Sequence, residues 1–167
     1  METLTPVLEI VEQAKAHTQR NSAQLLHTFS FVPEDKLTWS PATGAKTALG
    51  IVAHCGLVNP AFAMLIRNEM PSEMPAPEQM MAMMAEREKA ITSREQAIQH
   101  IETSTAEVLA ALDQLTHEDL ALSPNSPFGA MPMMFWMFLP GNHMLMHAAQ
   151  IDYLQTIWGD YVPHFVG

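Results

Sequence analysis

The chain has 167 residues, 48% of them hydrophobic and 16% charged, with a formal net charge of −10. That composition suits one globular domain over residues 1–167, and it excludes a disordered chain. One cysteine, Cys55, rules out a disulfide framework or a Cys-based zinc site within one chain.

The first helical pattern runs from about Thr5 to His27, with Val7, Leu8, Val11, Leu25 and Leu26 spaced as one apolar face. The same N-terminal stretch lacks a basic region followed by an apolar one, so no signal peptide is expected and a reducing cytoplasm is the default location. The next segment, FVPEDKLTWSPATGAKT, reads as a loop punctuated by Pro33, Pro41 and Gly44. Thr47 is placed to cap a second helix that ends before Pro71 and carries a kink or local loosening at Pro60.

Residues 70–91 are rich in proline and methionine and read as a loop holding one short helix around Pro77–Met84. Ser93 and Gln96 form a capping box, from which a third long helix runs to about Leu115. Residues 116–130 form another loop. Pro132 suits the first turn of a fourth long helix reaching Trp158, with Gly159 as its C-terminal cap and a kink at Pro140–Gly141. No segment shows a convincing two-residue period. Four long helices predict an all-α four-helix bundle, with a long Pro/Met-rich connection between the second and third.

Charge is distributed unevenly. All eight basic residues precede position 95, and the rest of the chain carries eight carboxylates. A nucleic-acid binder needs clustered cations to displace counterions from phosphates, so no nucleic-acid partner is expected. From Leu120 to Ile151 nothing is formally charged, yet Pro124, Pro127, Pro132 and Pro140 interrupt the apolar stretches. That region reads as buried protein and not as a membrane span.

The chemistry rests on histidine. His143 and His147 are four apart on the last helix, which stacks two imidazoles on one face at the spacing of two ligands to one ion. Such pairs also occur on helices without a metal. A third ligand must come from elsewhere, and His54 is the candidate, because an unpartnered imidazole in the middle of an apolar helix is costly to bury. The residues between the pair are Met-Leu-Met, so the protease helix with its glutamate base is absent, and no Glu-x-x-His occurs for a di-iron bundle. Cys55 points about 100° away from its neighbour His54 and reads as a small buried apolar residue. His100, His117 and His164 read as structural or solvated, and His17 and His27 lack a spaced partner. Fourteen methionines cluster at 80–84 and 131–146. Thioethers beside histidine suit copper(I), but methionine more often fills irregular cores and pockets, which is the reading adopted.

Trp39-Ser40-Pro41, Thr47 seven residues before His54, His143-x3-His147-x2-Gln150, and an ending in which Tyr153 and Gly159 recur together resemble the DinB-like (DinB/YfiT) metal-binding four-helix-bundle superfamily. The resemblance spans roughly residues 5–162. It implies that His54, His143 and His147 hold one divalent ion, zinc or nickel, with Gln150 supporting from outside the ligand set. It also implies a homodimer, and a small thiol activated toward a small electrophile, or else metal-hydroxide hydrolysis. The contrasting expectation is a non-catalytic, metal-stabilised dimeric bundle. No general acid or base can be assigned from spacing.

Overall fold

The computed structural model describes residues 6–166 and is built from five α-helices: α1 (Pro6–Ser30), α2 (Ala48–Ile66), α3 (Pro77–Lys89), α4 (Arg94–Asp113) and α5 (Met133–Ile157). Thr5 and the side chains of Val7 and Leu8 lie outside the described part. The expected caps are present. Thr47 Oγ1 accepts from the Gly50 amide at 3.0 Å, and Ser93 and Gln96 exchange the two hydrogen bonds of a capping box. Gly159, with φ of +95°, takes the left-handed position after α5. Both α2 and α5 stay helical through Pro60 and Pro140.

Three local features differ from the sequence reading. Helix α1 continues to Ser30, and α3 continues to Lys89 rather than stopping near Met84. The added turn of α3, Ala-Glu-Arg-Glu-Lys, consists of strong helix formers. Asn125–Ser126 and Gly129–Ala130 also pair as a two-residue antiparallel hairpin. Its corner needs Gly129 at φ +100°, a conformation that side chains disfavour.

Side-chain pairs between helices define the bundle. Arg94 donates to the Phe29 carbonyl, Ser22 meets Thr105 and Lys15 meets Asp113, so α1 and α4 run antiparallel. His17 meets Asn142 while Thr28 meets Gln155, so α1 and α5 run parallel. Asn59–Ser104 and Arg67–Glu107 make α2 and α4 parallel as well. Parallel neighbours cannot be joined by a tight turn. The chain leaving α2 must return the length of a 19-residue helix, about 28 Å, before α4 can begin. Residues 67–93 make that journey, and α3 is its helical middle, packed on α2.

Two apolar clusters fill the interior. One gathers Leu25, Phe29, Leu49, Val52, Ile101 and Ile151, and the other gathers Val11, Ala14, Leu65, Leu112, Met133 and Trp136. Between them lies a belt of buried polar side chains that includes Thr18, Asn21, Ser22, Asn59, Ser104 and Thr105. Helices approach closely at two glycines. A Cβ on Gly56 would stand 2.9 Å from His100 Cβ, and one on Gly141 would collide with His17 Cδ2. Trp39, in the Trp-Ser-Pro loop, packs edge-on to Trp158 at 5.6 Å and ties that loop to the end of α5. His164 is buried, stacked on Phe31 at 4.0 Å and bonded to Asp160 at 2.9 Å, which pins the C-terminal tail to α1.

The segment with the length and apolarity of a membrane span is α2 and not residues 120–151. Of its most apolar 18-residue window, 67% is buried among the other helices. Cys55 in α2 is fully buried, and desolvation pushes its thiol pKa upward, in keeping with a small core residue.

Candidate metal centre

Helix α2 supplies His54, and the antiparallel α5 supplies His143 and His147 one turn apart. The fold brings the three together. The ring centroids of His54 lie 5.2 Å from His143 and 5.1 Å from His147, and the α5 pair is 4.4 Å apart. One ring nitrogen from each lies within 4.8 Å of the others, and each residue is half-buried.

Outer contacts orient two of the rings. Glu88 Oε1 lies 2.8 Å from His54 Nδ1. A carboxylate can only accept there, so a proton sits on Nδ1, and it is Nε2 that a neutral ring offers to an ion. Lys46 Nζ binds the other oxygen of Glu88, whose side chain is only 12% exposed. Gln150 Oε1 lies 2.8 Å from His147 Nδ1 and does for His147 what Glu88 does for His54. Gln150 is the residue that the resemblance to the superfamily, with its His-x3-His-x2-Gln motif, puts in this supporting place. The sequence reading missed Glu88 and Lys46. Glu88 stands 34 residues from His54 in the chain, on the part of α3 read as loop, so no periodic signal links them.

The third ring is held differently. His143 Nε2 faces His147 Nε2 at 3.2 Å, while its Nδ1 is buried without a hydrogen-bond partner. Phe62 packs edge-on to the same ring at 5.3 Å. Burial, reinforced by the neighbouring His147 and His54, pulls the His143 pKa down to about 3. His147 is also lowered, chiefly by burial, with the Gln150 hydrogen bond opposing. Both are therefore neutral at physiological pH, the state in which imidazole donates to a metal.

This donor set fits a divalent ion. Two nitrogens on one tetrahedral zinc, each at 2.0–2.1 Å, stand about 3.3 Å apart. The observed 3.2 Å between the two Nε2 atoms is close to that spacing. A donor set made only of imidazoles suits zinc, nickel or copper better than magnesium or calcium. Among the described residues no Cys, Asp or Glu joins the cluster as a fourth ligand.

The remaining histidines lie apart. His17 bonds Asn142 at 2.9 Å and sits beside Asn21, and His27 packs edge-on to Phe31. His100 and His117 are exposed.

A sequence model of the DinB superfamily matches residues 17–151. No curated protein matches the chain. Among solved structures, the mycothiol-dependent maleylpyruvate isomerase superposes with a TM-score of 0.66 at 19% identity, over 88% of this chain and 61% of that one. The chain thus spans less than two-thirds of that protein's length, and at this identity the likeness is one of fold.

Proposed function

The chain belongs to the DinB superfamily, and on that footing we propose that His54, His143 and His147 hold one divalent ion, zinc or nickel, in an enzyme that activates a small thiol toward an electrophile. The observation that carries this reading is the set of three converging imidazoles, with no fourth His, Cys, Asp or Glu joining them among the described residues. A structural site is normally closed by a fourth side chain, whereas a catalytic one keeps a position open. The ion's contribution would be Lewis acidity, which favours the ionised form of a thiol near neutral pH.

The protein's own residues do the rest. Glu88 and Gln150 hold the His54 and His147 rings with Nε2 turned inward. Lys46 offsets the Glu88 charge, so the carboxylate remains an acceptor for His54 instead of competing as a ligand. The fold shared with a mycothiol-dependent isomerase makes mycothiol-type thiols the first co-substrates to try. Hydrolysis at the same site is the second enzymatic form, and a metal-stabilised bundle without turnover is the non-enzymatic one. A homodimer in the cytoplasm completes the proposal. Leu145, Met146, Tyr153 and Ile157 leave apolar surface exposed on α5, the kind of patch that a second copy would cover.

The test is elemental analysis of untagged protein after incubation with zinc or nickel. Wild type and His100→Ala are expected to hold about one ion per chain and His147→Ala none. Equal content in all three would refute the ligand assignment. With cobalt in the site, adding mycothiol should produce a thiolate-to-metal charge-transfer band. A spectrum unchanged by mycothiol would exclude it as the thiol.

A further inference from the structure

Behind Phe62, which packs against His143, lies a pocket that metal binding leaves unused. One turn after His54 on α2 and one turn before His143 on α5, Val58 and Leu139 begin the lining of a cavity of about 320 Å³. Phe62 is the shared wall, since it lines the cavity and packs edge-on against His143 at 5.3 Å. Leu65 and Trp136 extend the two helical walls, Met70 and Met80 come from the α2–α4 crossover, and the 125–130 hairpin contributes Phe128. The volume is within the range of small-molecule sites.

The chemistry of the lining is uniform. No charged side chain takes part. The single polar side chain, Ser126, is already committed, because its Oγ donates to the Gly129 carbonyl at 2.8 Å and accepts from the Phe128 amide at 3.1 Å. The indole of Trp136 is committed too, donating to the Met131 carbonyl at 3.0 Å. A ligand in this cavity therefore meets aromatic faces, thioethers and aliphatic side chains, with no side-chain hydrogen-bonding group to spare.

We infer that this pocket binds an uncharged, largely apolar molecule, holds it against Phe62 on the side away from His143, and discriminates against carboxylates. An ionised carboxylate entering it would shed water and find no compensating partner. Flat aromatic ligands gain most, through stacking on Phe62, Phe128 and Trp136 and through sulfur contacts with Met70 and Met80. The inference rests on the proposed function for what the ligand is, namely the electrophile that meets the activated thiol. Occupancy of the pocket itself does not require the ion.

Two molecules of matched shape supply the test, 2-acetylnaphthalene and the 2-naphthoate anion. Each is titrated calorimetrically into the full chain at neutral pH, with metal content measured on the same samples. The neutral ketone is expected to bind once per chain, at least about tenfold more tightly than the carboxylate. Ala61→Trp, which fills the cavity from α2, should weaken the ketone at least about tenfold. Met131→Glu, which places a charge on a half-exposed part of the rim, should do the same, and it decides the matter if the tryptophan variant does not fold. Equal affinity for the two ligands, no saturable binding of the ketone, or affinity untouched by the folded variants would overturn the inference. A failure of the three-histidine reading shows instead as absent metal and leaves these isotherms as they are.

Discussion

Acidifying the metal-free protein should destabilise it, and His143 sets most of the effect. In the folded chain its pKa is pulled down to about 3 by burial and by the facing histidines, against an ordinary value of 6.5. Between these values the unfolded chain takes up a proton that the folded chain refuses, so stability is lost as pH falls below about 6.5 and is fully present above it. Each pH unit in that window is worth at most about 1.4 kcal/mol. From pH 7 to pH 5 the loss approaches about 2 kcal/mol, reduced toward about 1 kcal/mol because the ring is only partly shielded from solvent. The assay is guanidinium unfolding in the presence of a chelator at both pH values, for wild type and His143→Leu. Wild type should lose about 1–2 kcal/mol more than the variant over this interval. Lowered carboxylates such as Asp119 and Asp160 titrate below the window, and His147, lowered chiefly by burial, adds to the loss in both proteins. Parallel pH dependence in the two proteins would refute the assignment of the burden to His143.

Removing the carboxylate behind His54 should weaken metal binding without removing a ligand. Glu88→Ala is expected to lower zinc affinity about 10–100-fold in a chelator competition, while Glu88→Gln, which keeps an oxygen acceptor, should lose much less. Unchanged affinity in Glu88→Ala would mean that the 2.8 Å contact does not orient the ring. At Gly56, alanine would gain about 1 kcal/mol of helix propensity but would place a methyl 2.9 Å from His100 Cβ and 3.1 Å from the His100 carbonyl carbon. Overpacking of that kind costs about 1–3 kcal/mol, so Gly56→Ala should lower the melting temperature, whereas a rise would show that α2 and α4 separate freely.

Which parts of this protein are legible without a structure depends on how far apart the interacting residues lie in the chain. Helix starts and stops rest on contacts three or four residues long, and Thr47, Ser93 and Gly159 are visible for that reason. The His143–His147 pair is equally local, because a helix places such residues on one face, and Gln150 follows from the motif that resembles the superfamily. His54 was found by a different argument, the cost of an imidazole alone in an apolar helix. The motif order that resembles the superfamily then joined it to the pair.

What the sequence by itself determined is therefore an all-α chain of four long helices, with the candidate ligands already placed on two of them. The tertiary structure decided how those helices run, parallel for α1 with α5 and for α2 with α4. It also decided that the crossover carries α3 far enough to set Glu88 against His54 and Met80 against the apolar pocket. The same packing leaves His143 Nδ1 without a partner, while the hairpin at 125–130 commits the one polar group in the pocket wall. None of these pairings has a periodic signature. Apart from the local bonds of Ser126 in the hairpin, they join residues tens of positions apart, and burial of the two apolar clusters brings those residues into contact.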